Sequence, residues 1–431
     1  MKIKKFLLII LFMFFLVLVG CAKNDKDSEA PMEPSIPGDY TGAPIDSESK
    51  SESEGDVISG TDGIVTEGGK DEGGFNNTQA GQMSAKEWSD INNYSFWTEL
   101  FMSSQDSKDG LFKEYFNKGY FDTLNMVTVT VKNQDVLIQG AKVELVDGNG
   151  KTIYTSITNT VGNAFLFPQK EQLEAIKEIY ITVNGQTNKY EYSYSTENNK
   201  LSYDISLSNE KEKIIELMFV VDTTGSMGDE INYLKAEIDY VISEIKNSYN
   251  DVQIKLALLF YRDLTDSYVT KYFDFTTDIN VQKKNLSEQY AGGGGDFEEA
   301  VDIALDEAVS KNWSNENTTK LLFHVLDAPP HYTQEIMTRY FNAINKASSI
   351  GIRIIPVASS GIDKYTEYLL RNEAMMTGGT YTFITNDSGI GGDHIEGTIG
   401  EADVEYLDLM IIRLIKEYYT GIPQEKVIYK K

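Results

Sequence analysis

Leu217-Met218-Phe219-Val220-Val221 is an unbroken apolar run. A strand without polar alternation must be covered on both faces, which in practice means a parallel sheet enclosed by helices. The period then changes: Ile231, Leu234, Ile238, Val241 and Ile245 recur at three- and four-residue steps, one face of a helix. Further strands are predicted at Ile254–Phe260, Lys320–Leu326, Ile352–Val357 and Thr380–Phe383. Helices are predicted at Phe297–Val309, Glu335–Ser348, Lys364–Met375 and Val404–Tyr419. This order predicts a doubly wound, mainly parallel α/β domain whose ligands meet the C-terminal ends of its strands.

The loops at those ends are rich in oxygen ligands. The first strand runs into Asp222-Thr223-Thr224-Gly225-Ser226, one carboxylate and two hydroxyls on alternate residues. The run Gly292 to Gly295 leads to Asp296, and the strand ending at Leu326 is followed by Asp327-Ala328-Pro329-Pro330-His331. Asp222, Thr224, Ser226, Asp296 and Asp327 form an all-oxygen set suited to a hard divalent ion, Mg²⁺ first, with Mn²⁺ or Ca²⁺ as alternatives. Asp296 has the alternative of capping a helix N-terminus. Asp263 and His331 are candidates for the rim, with an ion pair to Arg262 or a lysine, and a role in orienting the Pro-Pro turn, as their alternatives. His324 lies within an apolar strand and is expected to be buried; His394 carries no reading.

Enzymatic motifs fail on their own terms. Ser226 lacks the glycine two residues earlier that a nucleophile elbow requires, since Thr224 stands there. The Gly292–Gly295 run lacks the Lys-Ser/Thr ending of a phosphate-binding loop. The expectation is a binding protein without catalytic residues or a small-molecule substrate.

Ahead of this domain the period is two. Val127, Val129 and Val131 alternate, as do Ala141, Val143 and Leu145, with turn signals at Asp147-Gly148-Asn149-Gly150 and Val161-Gly162-Asn163. More strand-like runs are Ile179–Val183, Tyr190–Tyr194 and Leu201–Leu207, which predicts a smaller antiparallel β-sandwich. Asp147–Gly150 is expected to be a hairpin turn, because Lys151 sits where a calcium loop needs an oxygen. The aromatic-rich stretch Lys86 to about Asn125 is expected to form short helices or loops covering a domain edge.

The N-terminus carries an address. Lys2, Lys4 and Lys5 precede an apolar run from Phe6 to Val19, too short to span a bilayer. Its ending, Leu18-Val19-Gly20-Cys21, resembles the lipobox of bacterial lipoproteins, which implies cleavage and lipidation at Cys21. Cys21 is the single cysteine, so an intramolecular disulfide is impossible. From Ala22 to Ala85 the chain is acidic, rich in Ser, Gly and Pro, and poor in large apolar residues, the composition of a disordered tether.

Two further resemblances follow from the motifs. Gln139-Gly140-Ala141-Lys142-Val143-Glu144-Leu145 with Thr160-Val161-Gly162-Asn163-Ala164 resembles the carboxypeptidase-regulatory-like β-sandwich. Residues 211–422 resemble a von Willebrand factor type A domain, whose metal-ion-dependent adhesion pattern Asp-x-Ser/Thr-x-Ser is matched by Asp222, Thr224 and Ser226. Its third-loop aspartate is matched by Asp327, while Asp296 stands where adhesive members place a threonine. A subgroup shares the Gly-Gly-Asp loop together with Tyr261-Arg262-Asp263 and Asp-Ala-Pro-Pro-His. The implied organisation is a signal peptide (1–20), lipidated cysteine and tether (21–85), lead-in and β-sandwich (86–210), type A domain (211–422) and tail (423–431).

The chain has 39 Lys+Arg against 66 Asp+Glu, a net charge of −27. That excess disfavours nucleic acid as a partner and leaves the lipid anchor as the route to a membrane. The function implied is metal-dependent binding of a protein or glycan partner on the extracytoplasmic surface. The alternative is an envelope assembly or scaffold factor docking a membrane protein, and a metal-dependent hydrolase ranks last.

Overall fold

The computed structural model describes residues 81, 83–102, 110–389 and 394–430; the leader, Cys21 and most of the tether lie outside the described residues. The first element is strand β1 (Ser84–Trp88), followed by short helices α1 (Tyr94–Glu99) and α2 (Gly110–Phe116). Next come β2 (Val127–Asn133), β3 (Val136–Leu137), β4 (Lys142–Asp147), β5 (Thr152–Ile157), β6 (Asn163–Leu166), β7 (Ile176–Val183), β8 (Gln186–Glu191) and β9 (Lys200–Asp204). They form two four-stranded sheets, β5-β4-β7-β8 and β3-β2-β6 with β9 beside β2. Period two places Val127, Val129 and Val131 of β2 wholly inside, with Val143, Leu145, Ile179 and Ile181 of the other sheet. All pairings are antiparallel except β2 with β9. The β4–β5 hairpin closes as expected: Asp147 Oδ1 accepts from the Asn149 and Lys151 N–H groups at 2.9 and 2.8 Å.

The remaining elements are β10 (Ile214–Asp222), α3 (Gly228–Ser248), β11 (Gln253–Tyr261), β12 (Thr270–Thr276), α4 (Ile279–Ser287), α5 (Val301–Val309), β13 (Thr319–Leu326), α6 (Gln334–Ile350), β14 (Ile352–Ala358), α7 (Lys364–Thr377), β15 (Tyr381–Ile384), β16 (Glu405–Tyr406) and α8 (Leu407–Thr420). Their sheet has the order β12-β11-β10-β13-β14-β15-β1-β16. The five central strands β11 to β15 in that order are parallel, and β12, β1 and β16 are antiparallel edges. The apolar run in β10 divides between two cores. Leu217, Phe219 and Val221 pack with Ile231 and Leu234 of α3 and Met410 of α8, whereas Met218 and Val220 share a core with α5, α6 and α7. That is the physical basis of its missing alternation. Among the described residues no helix is long and apolar enough to cross a membrane.

Three sequence boundaries shift. Ser84 and Ala85, compositionally the end of the tether, are buried in β1. The lead-in does not group with the β-sandwich: β1 pairs with β15, Lys86 opposite Phe383, so it completes the α/β sheet. Its aromatics are core. Trp97 and Phe112 are fully buried, and Trp97 lies 6.3 Å from the Tyr368 ring of α7. Beside them the buried Arg371 donates to Asp90 at 2.9 and 2.6 Å and stands 4.9 Å from the Trp97 ring. Lastly, α5 starts at Val301 and not Phe297, because the glycine loop stays irregular through Glu299.

Candidate metal centre

Parallel strands β10 and β13 lie side by side, so Asp222 and Asp327 emerge together at their C-terminal ends. Asp222 is wholly buried; its Oδ1 accepts from the Thr224 N–H at 2.8 Å and the Thr224 hydroxyl at 2.7 Å. Its Oδ2 is buried without a hydrogen-bond partner. The Ser226 hydroxyl donates to Asp327, which is itself 5% exposed. Of the five residues expected at the site, Asp222 is thus bonded to Thr224 and Asp327 to Ser226, at the ends of neighbouring strands.

Asp296 does not join them. It is exposed, and its carboxylate lies instead with Asp263 and His331, all three ligand atoms within 4.8 Å of one another. Nor does it cap a helix, since α5 begins five residues later. His331 Nε2 is 2.7 Å from Asp263 Oδ1, so the rim candidates pair with each other. Arg262 is directed away, to the Tyr290 carbonyl at 2.9 Å and over the Tyr268 ring.

The residue that turns inward is Glu299, only 3% exposed, with Oε2 unpartnered. Its backbone is held by the third loop: the Glu299 N–H donates to the Pro329 carbonyl at 3.0 Å, and Glu299 and Pro330 form a parallel bridge. The Pro-Pro turn thus orients a glutamate. Gly293 and Gly294, at φ 86° and 78°, make this approach feasible. A Cβ on Gly294 would lie 3.2 Å from Glu299 Oε1, and one on Gly293 only 2.3 Å from Asp266 Oδ1. Asp266 Oδ2 in turn accepts from the Gly294 N–H at 2.9 Å and the Asp263 N–H at 3.1 Å, tying two loops together.

A fourth buried acid is Glu230, in the first turn of α3. Its Oε1 accepts from the Ser360 hydroxyl at 3.0 Å, and its Oε2 has no partner. Sequence reading missed Glu230 and Glu299. Nothing local separates Glu299 from half-buried Glu298, and Glu230 resembles any acid at a helix N-terminus.

These four acids are crowded. Burial, then Asp327 and Glu230, push the Asp222 carboxyl up to about 8, against the hydrogen bonds from Thr224. Burial, then Asp222, Asp263, Asp266 and Asp327, push Glu299 up to about 9. Burial pushes Glu230 up to about 7 and also raises Asp327, which the Ser226 hydroxyl opposes. Among the described residues, none of the four forms an ion pair with Lys, Arg or His. Buried acids without a counter-charge must hold protons or a cation. Unpartnered buried carboxylate oxygens and nearby hydroxyls are the donor type a hard divalent ion takes, but the group of three carboxylate or imidazole ligand atoms that converges within 4.8 Å among the described residues is Asp263, Asp296 and His331.

Below this pocket the Tyr261 hydroxyl and His324 Nε2 are also buried without partners. His324 is fully buried, as expected, with Nδ1 3.0 Å from Glu373.

Residues 216–383 match the family model described as von Willebrand factor A domain, so the chain carries such a domain. An alpha-protein kinase, vwkA, of Dictyostelium discoideum is 30% identical over 173 residues, covering 35% of this chain and 27% of that protein. The chain thus spans about a quarter of that relative's length. Among solved structures, the pilus adhesin SpaC of Lactobacillus rhamnosus GG aligns with TM-score 0.35 and 12% identity, covering 50% of this chain and 32% of that one. BatB, a conserved hypothetical protein of Bacteroides thetaiotaomicron, aligns with TM-score 0.32 and 13% identity, covering 47% of this chain and 98% of that one.

Proposed function

We propose that this protein is a lipid-anchored surface protein that binds a protein or glycan partner through a divalent ion at the strand-end pocket. The observation that carries the reading is the set of buried, unneutralised carboxylates: Asp222 and Asp327 at the C-terminal ends of neighbouring parallel strands, Glu230 in the first turn of α3, and Glu299 in the loop before α5. Asp222, Ser226, Thr224, Asp327 and Glu299 are the residues that would hold the ion. When bound, it supplies a Lewis-acidic position for a partner's oxygen. The chain's own residues do the rest. Asp222 fixes the Thr224 hydroxyl, Ser226 fixes Asp327, and Asp266 holds the glycine loop in place. With Asp222, Glu299 and Asp327 ionised, the pocket keeps a net negative charge after taking up M²⁺, which favours neutral or basic partner groups over carboxylates. The anchor is Cys21 and the spacer is the acidic tether, so the domain faces outward at a distance from the bilayer. The reading assigns binding and no catalytic step.

The test is capture of extracellular material by the purified full chain, with and without chelator, beside Asp222→Ala. Capture restricted to the metal-loaded wild type supports the reading. Equal capture in every arm refutes it, and exclusive recovery of one fixed envelope protein moves the function to assembly.

A further inference from the structure

At the opposite end of the parallel strands, where β13 and β14 begin, the β-sandwich and the α/β domain line a shared cleft of about 810 Å³. That volume lies in the range of about 300–1,000 Å³ usual for small-ligand sites. Its chemistry is polar: more than half of the lining residues are Ser, Thr, Asn or Gln, and the large apolar ones are Ile157, Ile350 and Tyr418. Two cations line it and are buried. Lys320 of β13 is 8% exposed and Arg353 of β14 is 5% exposed. The acids of the same lining, Glu210, Glu212 and Glu316, are all exposed. We propose that this cleft binds a saccharide bearing an acidic group, with the anion against Lys320 and Arg353 and the sugar hydroxyls on the surrounding amides and hydroxyls.

The two cations have donors engaged but charge uncancelled. The Lys320 ammonium donates to the Glu316 and Ile350 carbonyls at 3.3 and 3.4 Å. The Arg353 guanidinium donates to the Thr377 and Ile157 carbonyls at 2.7 and 2.6 Å. Among the described residues neither stands within ion-pair distance of a carboxylate. Burial lowers the Lys320 ammonium, with Glu216 opposing that shift and Arg353 adding to it. Buried charge without a counter-charge is costly, and an anion entering the cleft removes that cost. A second pointer is independent of charge. The Thr319 hydroxyl, on a lining residue only 5% exposed, has no hydrogen-bond partner, and neither does Gln139 Oε1.

The walls are held together across the domain boundary. The Gln139 carbonyl accepts from the Asn209 and Asn317 amides at 2.9 and 3.3 Å, and Asn317 also donates to the Glu210 carbonyl at 3.0 Å. Gly140, at φ 78°, permits this approach, since a Cβ there would lie 2.4 Å from Asn317 Oδ1. A cleft fixed in this way is formed before its ligand arrives, which favours binding. The proposal is separate from partner binding at the strand-end pocket, because it requires no divalent ion.

The test is isothermal titration calorimetry of the purified full chain in chelator. The probes are digalacturonate and sulfated lactose, with lactose and inorganic phosphate as controls. Expected is a Kd below about 1 mM for at least one acidic sugar, with lactose and phosphate each at least about tenfold weaker. The better of the two acidic sugars identifies the anion as carboxylate or sulfate. Lys320→Met should lower that affinity at least about tenfold while Tm stays level or rises, because it removes a buried charge that has no counter-charge. Asn315→Asp adds negative charge at an exposed lining position, so it should fold and weaken the acidic sugar by roughly two- to fivefold. The proposal is overturned if neither acidic sugar binds, if lactose or phosphate binds as well, or if binding appears only when Mg²⁺ is restored. It is also overturned by a Lys320→Met chain that binds as wild type does, or whose Tm falls with its affinity, which would make the lysine structural.

Discussion

In chelator the protein should lose stability as pH rises from about 5 to about 8. Each crowded carboxyl binds its proton more tightly in the folded state than in the unfolded chain, where carboxyls titrate near about 4. Between those values the folded state holds more protons, so unfolding becomes easier as pH increases. For Asp222, pushed up to about 8, the difference is about four pH units, or at most roughly 6 kcal/mol at about 1.4 kcal/mol per unit. Glu230 and Glu299 share the same repulsion, so the three shifts overlap and do not add, and the total expected is about 3–5 kcal/mol. At about 2 °C per kcal/mol for a chain of this size, Tm should fall by about 6–10 °C. The assay is thermal unfolding of the full chain across that pH range, in chelator and in saturating Mg²⁺. With the ion bound the carboxylates are paired, the fall should vanish, and binding should release protons. A flat or rising Tm in chelator, or the same fall with Mg²⁺ present, would show that the acids are not the uncompensated set described above.

Three further outcomes are expected. Arg371→Met should destabilise by about 3–5 kcal/mol in denaturant unfolding, because it strands buried Asp90; adding Asp90→Asn should recover part of that loss. Gly293→Ala should cost about 1–2 kcal/mol and weaken Mg²⁺ binding in calorimetry, since it combines a positive φ with a Cβ in contact with Asp266. Tyr261→Phe should be neutral or stabilise the chelated protein by about 1 kcal/mol, because the hydroxyl it removes is buried without a partner; a loss above that amount would mean the hydroxyl is satisfied.

What the sequence determined by itself is whatever period and strand-end position encode. The unbroken run Leu217–Val221 and the helical steps after it specify a parallel sheet covered on both faces, and Asp222 and Asp327 necessarily emerge where adjacent parallel strands end. Thr224 and Ser226 follow from the same local turn. Two matters were decided only in three dimensions. The strand β1 has five residues and no alternation; it is a strand because β15 offers an open edge and because Arg371 holds Asp90 of the adjoining turn. The choice between Asp296 and Glu299 rests on contacts distant in sequence: Pro329 accepting from Glu299, Asp266 accepting from Gly294, and His331 beside Asp263. A glycine-rich loop has no period to read, and glycine leaves both directions open until other segments close around it.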